Sequence, residues 1–277
     1  MDSILEKNLT ELFGTEISNG PPITYMGGKF RYAKKIISFF PNNVTKYVEP
    51  FCGGAAIFFS VNKDAFEQLV INDLNKEIVN LFRCLQTDFW KTYLAILFTS
   101  NNVNTDLDSN DSYVRAASYY VLLTSSFNAQ VHAGVYTSRS KFMPITIINR
   151  LITIRKHIEK AEIWNIDGIE CIEKNDDEKT LFYIDPPYMI KAASKYYLKS
   201  MNIEQHKELF DTLANIKGKF VLSYEESEIM DLIIKNYSFN KFKLQITNSS
   251  SNTGRKQNES LITNFSPANI QEDIFNV

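Results

Sequence analysis

The 277-residue sequence has no apolar run near the roughly 18 residues that a membrane-spanning helix needs. Its first residues, with Asp2, Glu6, Glu11 and Glu16, lack a basic leader followed by an apolar core, so a cytoplasmic protein with no membrane partner is expected. Cysteine is scarce: Cys52, Cys84 and Cys171 lie far apart and none falls in a C-x-x-C pair, which excludes a disulfide framework and suggests no zinc site. Buried free thiols are expected instead, and no metal. Net charge is nearly absent, at −2, which argues against a nonspecific coat for nucleic acid. No internal repeat or low-complexity tract is present.

What the chain does contain is 44% hydrophobic and 22% charged residues, enough for one large domain or a core domain with an insertion, and not the composition of a disordered chain. The charge is unevenly spread. Lys29, Arg31, Lys34 and Lys35 form one basic cluster, Arg150, Arg155, Lys156 and Lys160 a second, and Lys241, Lys243, Arg255 and Lys256 a third, while Glu162 to Lys179 is acidic. Each basic cluster is either a solvated face or part of a footprint for DNA, and only its placement beside chemistry separates the two.

Between Lys46 and Asn72 the pattern is strand, tight turn, helix, strand: Tyr47 to Phe51 is extended, Ala55 to Val61 is an apolar helical run, and Leu69 to Ile71 is a second buried strand. This is a βαβ unit, which implies a parallel sheet. Asn75 to Leu85 reads as an amphipathic helix, with Ile78, Leu81, Phe82 and Leu85 at helical spacing. The alternation stops from about Phe89 to Lys160, where helices at Tyr113 to Leu123 and before Lys160 flank a polar stretch. It resumes with strands at Glu162 to Ile166 and Leu181 to Ile184, a helix at Ile203 to Ile216, a strand at Lys219 to Ser223, a helix at Glu225 to Asn236, and strands at Phe239 to Ile246 and Glu259 to Phe265. The expected fold is one α/β sheet built from residues 1–88 and 161–277, with a mainly helical insertion at 89–160.

Three groups stand at strand ends, where open parallel sheets bind ligands: Phe51-Cys52-Gly53-Gly54, Asn72-Asp73 and Asp185-Pro186-Pro187-Tyr188. Paired glycines allow a ligand close to the backbone, and Asp73, about twenty residues on, is placed to accept both hydroxyls of a ribose. With no G-x-G-x-x-G there is no cradle for a pyrophosphate, so a nucleoside without phosphates fits better; the glycines could equally form only a tight turn. Asp185 to Tyr188 is sharper. Its two prolines remove amide donors and leave carbonyl acceptors beside a carboxylate and an aromatic ring, a corner that suits an amino group. The plain alternative is a Pro-Pro turn that ends a strand.

Taken together these motifs resemble the Dam-type, D12 class DNA adenine N6-methyltransferases, in the subgroup whose cofactor motif precedes the recognition region and the catalytic motif. Tyr25-Met26-Gly27-Gly28-Lys29 resembles the family's N-terminal Gly-Gly-Lys motif, and Val48 to Gly54 its first cofactor motif. Ile71-Asn72-Asp73 resembles its ribose-binding acid, Asp185 to Tyr188 its catalytic tetrapeptide, and Asn252 to Phe265 its closing strand pair. The resemblance implies a Rossmann-like S-adenosylmethionine-dependent methyltransferase sheet with a target-recognition region at 89–160. It further implies that Lys29, after Gly28, neutralises the methionine carboxylate, that Tyr25 packs against the cofactor, that Glu49, Pro50, Phe51, Gly53 and Gly54 line its path, and that Asp73 holds the ribose. Asp167 either accepts from the adenine amine of the cofactor or only caps the following helix. Asp185, Pro186, Pro187 and Tyr188 are the implied catalytic set, acting on a flipped-out base, and Asp185 is implied to contact the cofactor as well.

Two departures stand out. Ala55 replaces a third small glycine, at what the pattern makes a helix start. The Phe-Asn-Gly segment of members that read G-A-T-C is replaced by Phe127-Asn128-Ala129-Gln130, so their target sequence does not transfer. Asn128, Gln130, Arg139 and Lys141 have the chemistry to read base edges, and Arg255 and Lys256 that of phosphate contacts, though an ordinary surface loop has the same composition. The expected partner is double-stranded DNA, with a cognate restriction endonuclease as a second, and a monomer acting in a bacterial cytoplasm, whether bacterial or phage-encoded. The same fold could serve cytosine N4 or adenine in RNA. A catalytically silent DNA-binding module would not need Asp185 to Tyr188, and a nicotinamide oxidoreductase would need the missing phosphate fingerprint.

Overall fold

The computed structural model describes residues 21–25, 27–102, 104–125, 144–187, 201–226, 228–244 and 259–267. The chain divides into two compact units, one of Met1–Phe30, Gly53–Phe59 and Asn75–Ile163, the other of Arg31–Cys52, Ser60–Leu74 and Trp164–Val277.

The second unit is organised by a seven-stranded sheet in the order β3-β2-β1-β4-β5-β7-β6. Strands β1 (Lys46–Glu49), β2 (Gln68–Asn72), β4 (Thr180–Ile184) and β5 (Lys219–Glu225) run parallel, with Val48 opposite both Val70 and Phe182, and Phe182 opposite Phe220. Strand β7 (Glu259–Thr263) is antiparallel to β5 and to β6 (Asn240–Leu244), and β3 (Glu162–Trp164) forms the other edge. All five residues of β4 are buried, as a central parallel strand covered on both faces requires. On one face Val48, Phe182, Ile184, Phe220, Leu222 and Tyr224 pack against Ile169 and Ile172 of α6 (Gly168–Asn175), Leu209, Phe210 and Leu213 of α7 (Ile203–Asn215) and Met230 of α8 (Glu228–Tyr237). On the other, Phe40, just past α1 (Ala33–Ile37), lies 5.8 Å from the ring of Tyr47 and 6.4 Å from that of Tyr183.

The connection from β1 to β2 corrects the expected helix at Ala55 to Val61. In its place are turns and two short 3₁₀ segments, Phe58–Ser60 and Lys63–Ala65, the second capped by Asn62. Gly53 at φ 47 and Ala55 at φ 53 turn the chain left-handed, which an α-helix cannot absorb, and Ala55 is therefore no helix start. An apolar run by itself does not distinguish a helix from buried turns. Boundaries also move: β3 ends at Trp164 rather than Ile166, β5 runs on to Glu225, the helix after it begins at Glu228, and β7 ends at Thr263 rather than Phe265.

Among the described residues of the first unit, helices α2 (Lys76–Thr87), α3 (Phe89–Asn102), α4 (Ser112–Ser125) and α5 (Pro144–Ile158) pack together. Asn75 caps α2, its Oδ1 accepting from the Glu77 amide at 3.1 Å, and Ile78, Leu81, Phe82 and Leu85 are buried as their spacing predicts. The sequence pattern does not separate α3 from α2. Asp88 alone divides them, ending α2 through its N–H to Cys84 and receiving the Lys91 amide of α3 at 3.0 Å. All three cysteines are free and buried. No helix among the described residues is long and apolar enough to cross a membrane.

Candidate active site

Strand β1 has β2 on one side and β4 on the other, so the chain's direction of travel across the sheet reverses there. Such switch points open a crevice beyond the carboxyl ends of the strands. Glu49, Pro50 and Phe51 follow β1, Asn72 and Asp73 end β2, and Asp185, Pro186 and Pro187 follow β4. Asp185 is half-buried and Pro186 buried; Tyr188 lies outside the described residues.

The segment after β1, the end of β2 and the segment after β3 meet at one buried amide. The Asn72 side chain donates to the Pro50 carbonyl at 2.8 Å and to the Ile166 carbonyl at 3.1 Å, and it accepts from the Ile166 amide at 3.0 Å. The Asn72 carbonyl receives the Cys52 amide at 2.9 Å, and Asn165 Nδ2 donates to the Asp73 carbonyl at 2.7 Å. Asp167, exposed, caps α6: its Oδ1 accepts from the amides of Ile169 at 2.8 Å and Glu170 at 3.4 Å. Gly168 has the tip of the Phe51 ring against it, and a Cβ there would lie 2.3 Å from Phe51 Cζ. Neither Asn72 nor Asn165 has a role legible in the sequence, because their partners are backbone groups of distant segments.

The electrostatics of this corner favour the neutral forms of its two phenols and its thiol. Tyr47 Oη donates to Glu49 Oε1 at 2.5 Å. Burial pushes the Tyr47 phenol well up, and the Glu49 carboxylate adds to it. Cys52 is raised well above a free thiol by burial and then by Asp73 and Glu49. Tyr183, hydrogen-bonded to Ser223 Oγ at 2.9 Å, is raised by burial and by Asp185. A thiol held protonated in this way is no nucleophile. Burial lowers Lys63 to about 8 against the opposing pull of Glu49.

The first unit carries the remaining cofactor candidates. The Gly28 amide donates to the Tyr25 carbonyl at 3.1 Å, with Gly27 between them at φ 76, and the buried Lys29 donates from Nζ to the Gly27 carbonyl at 3.2 Å. The ring of Tyr25 covers the two glycines: a Cβ on Gly53 would come within 2.8 Å of Tyr25 Cε1, and one on Gly54 within 2.5 Å of its Cβ. Asn75 Nδ2 donates to the hydroxyls of Tyr25 at 3.3 Å and Tyr119 at 2.8 Å. Asn75 is readable in the sequence as a helix start, an Asn two residues before an acid and an apolar periodic run, but its contacts with Tyr25 and Tyr119 are not.

The base-reading candidates Asn128, Gln130, Arg139 and Lys141 and the phosphate candidates Arg255 and Lys256 lie outside the described residues. The basic clusters are not uniformly solvated. Lys29 is buried rather than solvated, Arg155 donates to the Leu85 carbonyl at 3.4 Å, and Lys241 is paired with Asp231 at 2.5 Å and Glu226 at 3.8 Å. Arg31 and Lys34 are exposed, in line with a basic surface.

A mixed α/β sheet with helical insertions, and with carboxylates and prolines past the strand ends at its switch point, is the architecture of enzymes that bind a ligand in that crevice. A profile of D12 class N6 adenine-specific DNA methyltransferases matches residues 25–134 and 101–248, and the chain belongs to that family. It is thereby an S-adenosylmethionine-dependent DNA methyltransferase that acts on exocyclic amino groups. It is 26% identical to the type II methyltransferase M1.LlaDCHI of Lactococcus lactis subsp. cremoris over 95% of this chain and 99% of that protein. It is 22% identical to a DNA adenine methylase of Haemophilus influenzae over 90% of this chain and 95% of that one. The match to the type II methyltransferase M.FokI of Planomicrobium okeanokoites, at 26% identity, takes in 88% of this chain but 42% of that protein.

Proposed function

We propose that the chain is a site-specific DNA adenine N6-methyltransferase that flips its target adenine out of the duplex and directs a methyl group from S-adenosylmethionine onto the exocyclic amine. The observation that carries this reading is the position of Asp185-Pro186-Pro187 directly past β4, beside the end of β1 at the switch point. An aspartate rather than a serine in front of the prolines favours adenine over cytosine.

The donor set suits this cofactor. The second unit offers acceptors for ribose hydroxyls and an amine in Asp73 and Asp167, and the first unit, taken by itself, offers in Lys29 a cation for a carboxylate and in the Tyr25 ring against Gly53 and Gly54 an apolar face. When bound, the cofactor supplies a methyl group already activated by a sulfonium. The chain's own task is orientation. The Asp185 carboxylate and the Pro186 carbonyl accept the two N–H groups of the target amine, which localises a lone pair otherwise delocalised into the ring and aims it. Tyr188 stacks on the flipped base, and phosphate contacts offset the few kcal/mol that flipping costs.

Residues 89–160 are assigned to reading the target, through Asn128, Gln130, Arg139 and Lys141, and Arg255 and Lys256 to the phosphates of double-stranded DNA. Because two of the relatives above are named type II methyltransferases, a modification role beside a cognate restriction endonuclease is the biological setting we favour. The direct test is incubation with labelled cofactor and separate DNA and RNA pools, followed by mass spectrometry of the nucleosides. N6-methyladenine in DNA is expected; N4-methylcytosine, or label only in RNA, would overturn the assignment. Asp185→Ala should abolish transfer while cofactor affinity falls only modestly, and full turnover by that variant would exclude the mechanism.

A further inference from the structure

We propose that Asn72 is a positioning residue for the nucleoside half of the cofactor, acting through the two carboxylates on either side of it and touching no cofactor atom itself. The inference rests on the reading that Asp73 holds the ribose and Asp167 the adenine. Asn72 is wholly buried at the end of β2. Its side chain meets the backbone of two other segments, Pro50 after β1 and Ile166 after β3, the latter 94 residues away in sequence.

The geometry makes the side chain a substitute for a strand. Toward Ile166 it presents a donor to the carbonyl and an acceptor to the amide, the pairing that a backbone neighbour would offer in a ladder. Its second N–H reaches Pro50, whose own backbone has no donor to return. Asn165 adds a link from the same loop to the Asp73 carbonyl, and the Phe51 ring lies against Gly168, just past Asp167. Asp73 is the next residue after Asn72 and Asp167 the next after Ile166. The backbone positions of the two carboxylates are therefore linked through the Asn72 amide, with the Asn165 side chain as a second tie.

An amide is needed and a carboxylate will not serve. Asn72→Asp keeps the shape but faces the carbonyls of Pro50 and Ile166 with acceptors, so the loop must draw back or the group must hold a proton. The experiment measures calorimetric affinity for S-adenosylhomocysteine and for 5′-methylthioadenosine, which lacks the amino-acid arm, in the parent, Asn72→Asp, Asp73→Ala and the double variant, with melting temperature recorded alongside. Asn72→Asp should weaken both ligands by the same factor, about tenfold or more. In the Asp73→Ala background its effect should shrink, because its main route to the ribose is gone.

A steady-state counterpart is a raised KM for S-adenosylmethionine with kcat at saturation retained. Equal losses in both backgrounds, or a lowered melting temperature with unchanged affinities, would overturn the inference and leave Asn72 a structural residue. If Asn72→Asp does not fold, Asn165→Ala, at a half-buried position, removes the link to Asp73 and should give a smaller loss in the same direction; an unchanged affinity there overturns it equally. If Asp73→Ala alone leaves affinity untouched, the fault lies with the cofactor assignment and not with Asn72.

Discussion

Asp73 shows how much a single side chain is asked to do at the residue scale, because it follows β2 directly and its backbone is held by Asn165. A carboxylate that accepts from two ribose hydroxyls contributes on the order of 1.5 to 3 kcal/mol. Asp73→Ala should therefore weaken S-adenosylhomocysteine about tenfold or more with the fold intact; unchanged calorimetric affinity would place the ribose elsewhere. His206, on α7, is a different kind of residue, 1% exposed, with Nδ1 3.3 Å from Tyr224 Oη and Nε2 without a partner among the described residues. Burial lowers its pKa below the ordinary histidine value. Below about pH 6.5 the unfolded chain accepts a proton that the folded chain resists, so this contribution to stability is complete above that pH and declines as pH falls toward the lowered value. Urea midpoints from about pH 5 to 8 should thus fall less steeply on the acid side for His206→Gln than for the parent, and parallel curves would show that His206 is not the group responsible.

At the scale of elements, α6 has its start decided by both neighbours: Asp167 caps it, and Gly168 leaves room for the Phe51 ring. A methyl group at Gly168 would sit 2.3 Å from Phe51 Cζ, so either the ring or the helix start must shift. Overpacking of this kind costs about 1 to 3 kcal/mol. Gly168→Ala should lower the melting temperature and weaken the cofactor together; a parent-like value of both would mean that Phe51 has somewhere to go. The elements are otherwise largely legible in the sequence. Strands β1, β2, β4 and β5 fall within a residue or two of their apolar runs, because a parallel strand buried on both faces has a dense local signature. The run from Ala55 to Val61 misleads, because its composition is helical while the left-handed residues Gly53 and Ala55 are set by what packs around them. Helix α3 merges into a general change of character because Asp88 alone separates it from α2.

For the whole molecule, the small net charge of −2 leaves DNA binding to local groups, and the two kinds of group should fail differently. Gln130→Ala or Arg139→Ala should alter which sites are methylated, at roughly 1 to 3 kcal/mol for each bidentate pairing with a base that the substitution removes. Arg255→Ala should weaken binding to all sequences and flatten its dependence on salt. Methylome sequencing of a host that expresses each variant checks the first, and salt titration of duplex binding the second. The same motif with the same site preferences in the parent, Gln130→Ala and Arg139→Ala would move target recognition out of residues 89–160.

What the sequence by itself determined is the parts that carry local chemistry. Acids, glycines and prolines stand next to short apolar strands, so Asp73, Gly53, Gly54 and Asp185 can be picked out from their neighbours along the chain. Only the tertiary structure decided how those parts are held. Asn72 is an ordinary polar residue in the sequence, and it becomes the tie between Pro50 and Ile166 only when the register of β1 and β2 and the return of the chain after β3 bring two backbone segments to its amide. The same holds for Asn75, which couples Tyr25 to Tyr119, and for Phe51 against Gly168. Backbone groups are the same at every position, so a side chain that binds them has no partner visible in the sequence until the fold supplies one.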